Sequence, residues 1–314
     1  MDYTTLDRTG LKVSVAGLGC GGNSKAGLGT GAGEDGAVAL IRAAIDLGVN
    51  FLDTASGYGT EKAVGKAIKA VPRDSVVVSS KHHASGVAPE RLEKAIDASL
   101  RALDTDYIDV YHLHGVPPRD YDHALNDLAP VLMRAQEAGK IRFLGITETS
   151  PNDHGQTMLH RAVQDGVWDV MMLGFNMMHQ VARRQVLPFT QEHGIGTLIM
   201  FAVRNLFSQP GKLEATMKDL AAEGKVPPDL AETDDPLGFL VHSGGADSVI
   251  EAAYRYARHE PGADVVLFGT GNPDHLRANI ESILKPPLPE ADREKLEALF
   301  GHLQGVGLEL PGPA

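Results

Sequence analysis

Four residues whose types carry proton chemistry stand at the ends of short apolar runs: Asp53, Tyr58, Lys81 and His114. The runs read Asn50-Phe-Leu-Asp53-Thr-Ala-Ser-Gly-Tyr58-Gly, Ser75-Val-Val-Val-Ser-Ser-Lys81 and Tyr107-Ile-Asp-Val-Tyr-His-Leu-His114. A tyrosine is a poor acid or base at neutral pH, because its unperturbed pKa is about 10. A neighbouring cation favours the phenolate and lowers that value. Lys81 is the natural cation, and Asp53 would keep it charged and fixed. His114 could donate a hydrogen bond to a carbonyl oxygen and polarise it without covalent chemistry. Singly, each residue also reads as plain structure: an Asp–Lys pair, a surface Tyr, a core His. Gathered at strand ends, they predict proton transfer.

The elements that must position them follow from pattern. Short runs rich in β-branched residues, separated by helical periodicity, read as consecutive parallel strands. Strands are expected near 15–20, 50–54, 75–81, 107–113, 142–147, 168–173, 196–201 and 264–269. Amphipathic helices fill most gaps, for example 35–47, 89–103, 121–138 and 154–165. A small hairpin over 3–14, turning at Arg8-Thr9-Gly10, precedes them. Eight strands alternating with helices predict an α/β fold, a (β/α)8 TIM barrel over 1–314 as one domain. Ionisable groups at the C-terminal ends of successive strands are where such a barrel assembles its chemistry. The turn-rich stretch 203–245, after the seventh barrel strand, is long for a βα connection and reads as a flap over the site. A last helix is expected near 290–301, packed outside the barrel.

Composition excludes several partners. With 314 residues and a net charge of −12, neither nucleic acid nor an anionic membrane is expected. The single cysteine, Cys20, forms no intrachain disulfide. The start Met-Asp-Tyr-Thr-Thr has no leader character and no run is of membrane-spanning length, so a cytoplasmic protein is expected.

Several motifs, in order, resemble the aldo-keto reductase family along essentially the whole chain. Leu-x-Arg-Thr-Gly-Leu-Lys-Val-Ser from Leu6 to Ser14, then Gly17-Leu-Gly19, is similar to that family's hairpin and first strand. Asn50-Phe-Leu-Asp53-Thr-Ala-x-x-Tyr58-Gly-x-Glu61 resembles its best-known motif. Leu103-Asp-Thr-Asp-Tyr-Ile-Asp-Val-Tyr-His-Leu-His114 and Gly139-Lys-Ile-Arg142-Phe-Leu-Gly145 resemble two more. The resemblance places the family's catalytic tetrad on Asp53, Tyr58, Lys81 and His114. It implies interconversion of a carbonyl and an alcohol with NAD(H) or NADP(H), hydride passing at the nicotinamide and a proton at Tyr58. It implies no metal. Gly19, Cys20 and Gly21 would let the backbone approach the cofactor rather than form a dinucleotide fingerprint, whose spacing and helix placement are wrong here.

The departures from the family bear on the cofactor. Thr147 and Glu148 stand where Ser-Asn usually holds the nicotinamide carboxamide, and an ionised carboxylate cannot donate as Asn does. Met172 replaces a common Gln, with barrel core as its simpler reading. Met200, followed by Phe201, occupies the place of a ring that often stacks on nicotinamide, and a thioether can also lie against a flat ring. At the adenosine end, Gly269, Thr270, His275, Arg277 and Asn279 are the expected contacts, and Asn272-Pro273 reads as a helix start facing a phosphate. Gly269 and His275 replace cations seen in 2′-phosphate-selective members, which tilts the expectation to NAD or dual use.

Two alternatives bound the reading. His112 and His114 face the same way on a strand and, with His83 and Asp53, could ligate a metal in a barrel hydrolase. The later strands offer Thr147, Met172, Met200 and Phe268 instead of ligands. The same resemblance extends to nicotinamide-binding β-subunits of potassium channels, a regulatory role. For an enzyme, His112, Asn23-Ser24 and Arg204 would suit a hydroxylated substrate, and sugar 1-dehydrogenases look the most similar members. His82-His83 read equally as pocket lining or surface. The oligomeric state is not legible in the sequence.

Overall fold

A computed structural model describes residues 1–308. Strands β1 (Tyr3–Thr5) and β2 (Lys12–Ser14) pair antiparallel, with Tyr3 opposite Ser14. A 3-10 turn, Asp7–Thr9, joins them and ends at Gly10, whose φ of 66° suits a residue without a Cβ.

Eight parallel strands then close into a barrel. They are β3 (Ala16–Gly19), β4 (Phe51–Asp53), β5 (Val77–His83), β6 (Ile108–Val116), β7 (Ile141–Glu148), β8 (Val170–Gly174), β9 (Gly196–Met200) and β10 (Val265–Phe268), in chain order around the ring. Alternation sends every second side chain inward. Phe51, Val77, Val110, Val170, Met172, Leu198 and Val265 form an interior cluster with Leu6, Leu11 and Val13 of the hairpin segment. The hairpin therefore plugs the N-terminal end. Its contact is close: a Cβ on Gly196, the first residue of β9, would lie 2.6 Å from Leu6.

The larger core lies between barrel and helices. Helix Gly33–Asp46 shows why, burying Ala37, Val38, Leu40, Ile41 and Ala44 on one stripe. Helix Glu290–Phe300 packs outside the barrel through Leu296 and Phe300.

Three expectations change in detail. The helix expected over 121–138 is broken into Tyr121–His123, a π-turn Ala124–Leu128 and Ala129–Glu137. The break precedes Pro130, which has no N–H for the ladder. The helix expected from 154 begins at Thr157, because Asp153 accepts from the Thr157 and Met158 N–H groups at 3.0 and 2.9 Å and holds the chain back. The 203–245 segment is no bare flap. It folds into helices Asn205–Ser208 and Lys212–Ala222 and docks Leu206, Met217, Leu220, Leu237 and Leu240 into the outer core.

Candidate active site

β4 ends on Asp53, β5 carries Lys81, and β6 runs to Val116, so His114 lies within its strand rather than beyond it. Tyr58 sits in the turn after β4, held by its N–H to the Ala55 carbonyl at 3.0 Å while the Ser56 N–H reaches the Lys81 carbonyl at 3.0 Å. Lys81 is fully buried. Its Nζ donates to Asp53 Oδ1 at 2.5 Å and to the Thr54 carbonyl at 2.9 Å, and lies 5.2 Å from the Tyr58 ring centroid. Tyr58 Oη is 3.4 Å from His114 Nε2, the rings meeting edge to face. The four residues form one cluster at the C-terminal mouth.

Two residues that the sequence reading did not assign to this cluster complete it. Ser79 donates to Asp53 Oδ1 at 2.9 Å. It stands two before Lys81, so strand parity was the available signal. Gly21 packs under Tyr58: a Cβ there would meet Tyr58 Cε2 at 2.5 Å. Any side chain at 21 would displace the tyrosine.

Electrostatics sort the roles. Burial pulls the Lys81 pKa down, but Asp53 beside it prevails and holds the ammonium above its ordinary value. Burial, reinforced by Lys81, His83 and His82, pushes His114 down to about 3. Its imidazole is neutral at physiological pH. For Tyr58 burial is the largest influence and raises the pKa, with Lys81 opposing and Asp53 reinforcing. The expected lowering is thus corrected: Lys81 acts in the expected direction, but desolvation outweighs it.

Across the mouth lie the ends of β7 to β9. The Thr147 hydroxyl accepts from the Gly115 N–H at 2.8 Å. Glu148 is buried, and its Oε1 accepts from the Gly174 N–H at 2.5 Å, Ser150 Oγ at 3.0 Å and Gln156 Nε2 at 3.2 Å. Burial moves its carboxyl up to about 7 against those donors. Met172 lies in the interior cluster, and Met200, half-buried at the end of β9 and paired with Gly174, packs against it. Phe201 has a left-handed φ of 67° and lies beside Gly174, with the Arg204 guanidinium 4.7 Å over its ring. Nothing in the local sequence signalled that φ.

β3 and β10 are neighbours, and their ends bring Gly19 against Gly269. Cys20 is buried there, its thiol pushed up to about 12 by burial and by Asp53. Thr270 Oγ1 accepts from the Asn272 N–H at 3.0 Å, and Asn272 caps helix Pro273–Leu284 through the Asp274 N–H at 2.8 Å. His275 and Arg277 are exposed on its first turns and Asn279 is half-buried.

The alternative that gathers His112, His114, His83 and Asp53 as metal ligands finds no such cluster among the described residues. His112 is fully buried, and its ring fills the space a side chain at Gly145 would need. It is sealed from the mouth, contrary to a direct substrate role. Among the described residues no three His, Cys, Asp or Glu side chains converge as metal ligands, and Asp53 is committed to Lys81. His83 is exposed and His82 bonds Ser56 Oγ at 2.9 Å.

Comparison with known proteins places these features in a family. The model of the aldo/keto reductase family matches residues 17–300. The aldo-keto reductase YhdN of Bacillus subtilis is 30% identical over 100% of this chain and 98% of its own. L-galactose dehydrogenase of Arabidopsis thaliana is 35% identical over 63% of this chain, a match spanning 64% of the plant protein. An aldo/keto reductase of Klebsiella pneumoniae, solved with NADP and acetate, superposes with a TM-score of 0.70 at 22% identity, over 96% of each chain, a likeness of fold.

Proposed function

The chain belongs to the aldo/keto reductase family of oxidoreductases, and from that premise we propose that it interconverts a carbonyl and an alcohol with a nicotinamide dinucleotide, Tyr58 serving as general acid and base. The observation that carries this reading is the joined cluster: a buried ammonium on Asp53, beside a tyrosine whose hydroxyl meets a neutral imidazole.

The residues fit the dinucleotide. Gly19 and Gly269 leave open backbone between β3 and β10, helix Pro273–Leu284 points its N-terminus there, and a buried oxygen of Glu148 lacks a donor at the other end. Phe201, rather than Met200, is the ring we assign to stacking. The bound cofactor would supply or take hydride. Tyr58 Oη gives its proton to the carbonyl oxygen in reduction and takes the alcohol proton in oxidation. His114, neutral, orients that oxygen. Lys81 offsets the cost of the phenolate.

Substitution Tyr58→Phe should retain cofactor affinity and lose at least ~100-fold in turnover, the usual scale of general acid catalysis. Unchanged turnover would remove Tyr58 from the mechanism. Cofactor binding by the wild type with no turnover over a broad carbonyl panel would favour the regulatory alternative. For the cofactor, the absence of Lys or Arg at Gly269 and His275 supports NAD or dual use. NAD(H) should bind within about tenfold of NADP(H), ~1.4 kcal/mol. A preference for NADPH beyond about a hundredfold, ~2.7 kcal/mol, would contradict this and point to Arg277. For the substrate, a hydroxylated carbonyl such as an aldose is our reading, supported by the polar Asn23-Ser24 and by the name of the plant relative.

A further inference from the structure

Two adjacent serines on β5 face opposite ways. Ser80 turns outward and donates to Glu61 Oε1 at 2.6 Å, at the start of helix Glu61–Ile68. Ser79 turns into the barrel, on the same face as Lys81 and as Val77 of the interior cluster. It is fully buried, and its hydroxyl donates to Asp53 Oδ1 at 2.9 Å. A buried hydroxyl in an apolar interior costs stability unless it is bonded, and a side chain like that of Val77 would fill the strand face without that cost. The partner that the fold gives Ser79 is the carboxylate that holds Lys81.

Both donors meet one oxygen. Lys81 Nζ reaches Asp53 Oδ1 at 2.5 Å, so the serine hydroxyl and the ammonium share that acceptor. β4 and β5 pair with Asp53 opposite Ser79, which sets the hydroxyl beside the carboxylate. Two consequences follow from the shared oxygen. Turning the carboxylate away from the ammonium would break a second bond. The serine dipole also lays its positive end on the carboxylate and offsets part of its charge. Lys81 favours the phenolate at Tyr58, whereas Asp53 opposes it. A carboxylate damped by Ser79 leaves more of the ammonium's field for the tyrosine.

We propose that Ser79 is a positioning residue for proton transfer at Tyr58, its hydroxyl orienting Asp53 and damping its charge so that Lys81 acts on the tyrosine. This rests on the proposed role of Tyr58 as general acid and base. The proton passes between Tyr58 Oη and the substrate oxygen, and Ser79 keeps its own. The titratable groups around Tyr58 are Cys20 beyond β3, Asp53 ending β4, Lys81 on β5 and the neutral His114 on β6. His112 stands opposite Lys81 on β6. Removing the Ser79 hydroxyl strengthens the Asp53 side of this balance and disfavours the phenolate.

The test is the pH dependence of alcohol oxidation and carbonyl reduction by the full chain, using the most active substrate of an aldose and aldehyde panel in each direction. Wild type, Ser79→Ala and Ser79→Cys are compared, with thermal melts beside them. Cysteine keeps the volume but is a far weaker donor. Both variants should move the rise in oxidation rate to higher pH by about half a unit, or about threefold in rate near neutrality. Reduction near neutrality should change by less than about twofold, because the protonated Tyr58 acts there. Profiles superimposable on wild type, or an equal loss in both directions without a shift, would overturn the inference. So would a wild-type profile in Ser79→Cys with a shift in Ser79→Ala alone, which would assign the effect to packing. If Ser79→Ala fails to fold, Ser79→Cys decides. No turnover across the panel, or unchanged turnover in Tyr58→Phe, would remove the reading of Tyr58 and this inference with it.

Discussion

In the proposed mechanism Lys81 is the residue on which the proton chemistry turns. Its ammonium is fully buried, bonded to Asp53 and Thr54, and close to the Tyr58 ring. Because burial already holds the Tyr58 phenol above its ordinary value, removing Lys81 should push it further up. Alcohol oxidation needs the phenolate, so its rate rises with pH through that pKa. Lys81→Met should shift the rise to higher pH and cost more in oxidation near neutrality than in reduction, where the protonated Tyr58 acts. Rate–pH profiles in both directions check this, and curves superimposable on wild type would leave Lys81 as a structural partner of Asp53. The identities of the four residues were legible because their types stand at strand ends. The direction of the Tyr58 shift was not, since it depends on how much of the ring the fold covers. Glu148 was equally opaque: its donors come from Ser150, Gln156 and Gly174, and no local spacing announces them.

At the scale of elements, stability and chemistry sit at opposite ends of the barrel. Leu6, fully buried against Gly196, belongs to the hairpin that plugs the N-terminal end, far along the strands from Tyr58. Leu6→Ala should cost ~2–5 kcal/mol of unfolding free energy by leaving a cavity. Turnover per folded molecule should hold. Denaturant melts beside initial rates separate the two effects, and a lost rate without lost stability would contradict the division. Strand positions were legible to within two or three residues, because β-branched runs and period-two alternation survive in the sequence. Helix interruptions were less so. The π-turn before Pro130 and the late start at Thr157 depend on which backbone groups find partners. The 203–245 segment was read from its prolines as a flap, whereas the apolar positions on helix Lys212–Ala222 tie it to the core.

The whole molecule is a closed ring of strands whose mouth joins three regions distant in sequence. The β4–β6 side brings Tyr58, Lys81 and His114, the β7–β9 side brings Glu148 and Phe201, and the β3–β10 seam brings Gly19, Gly269 and the capped helix Pro273–Leu284. No helix among the described residues is long and apolar enough to cross a membrane. The proposed mechanism makes one central demand, that hydride passes directly from the reduced nicotinamide to the carbonyl carbon while the oxygen takes a proton. Reduced cofactor carrying deuterium at both C4 positions of the nicotinamide, mixed with wild type and an aldehyde or aldose panel, tests this directly. The account predicts product alcohol with one deuterium on the former carbonyl carbon and a solvent-derived proton on its oxygen. Product formed without deuterium at that carbon would contradict it.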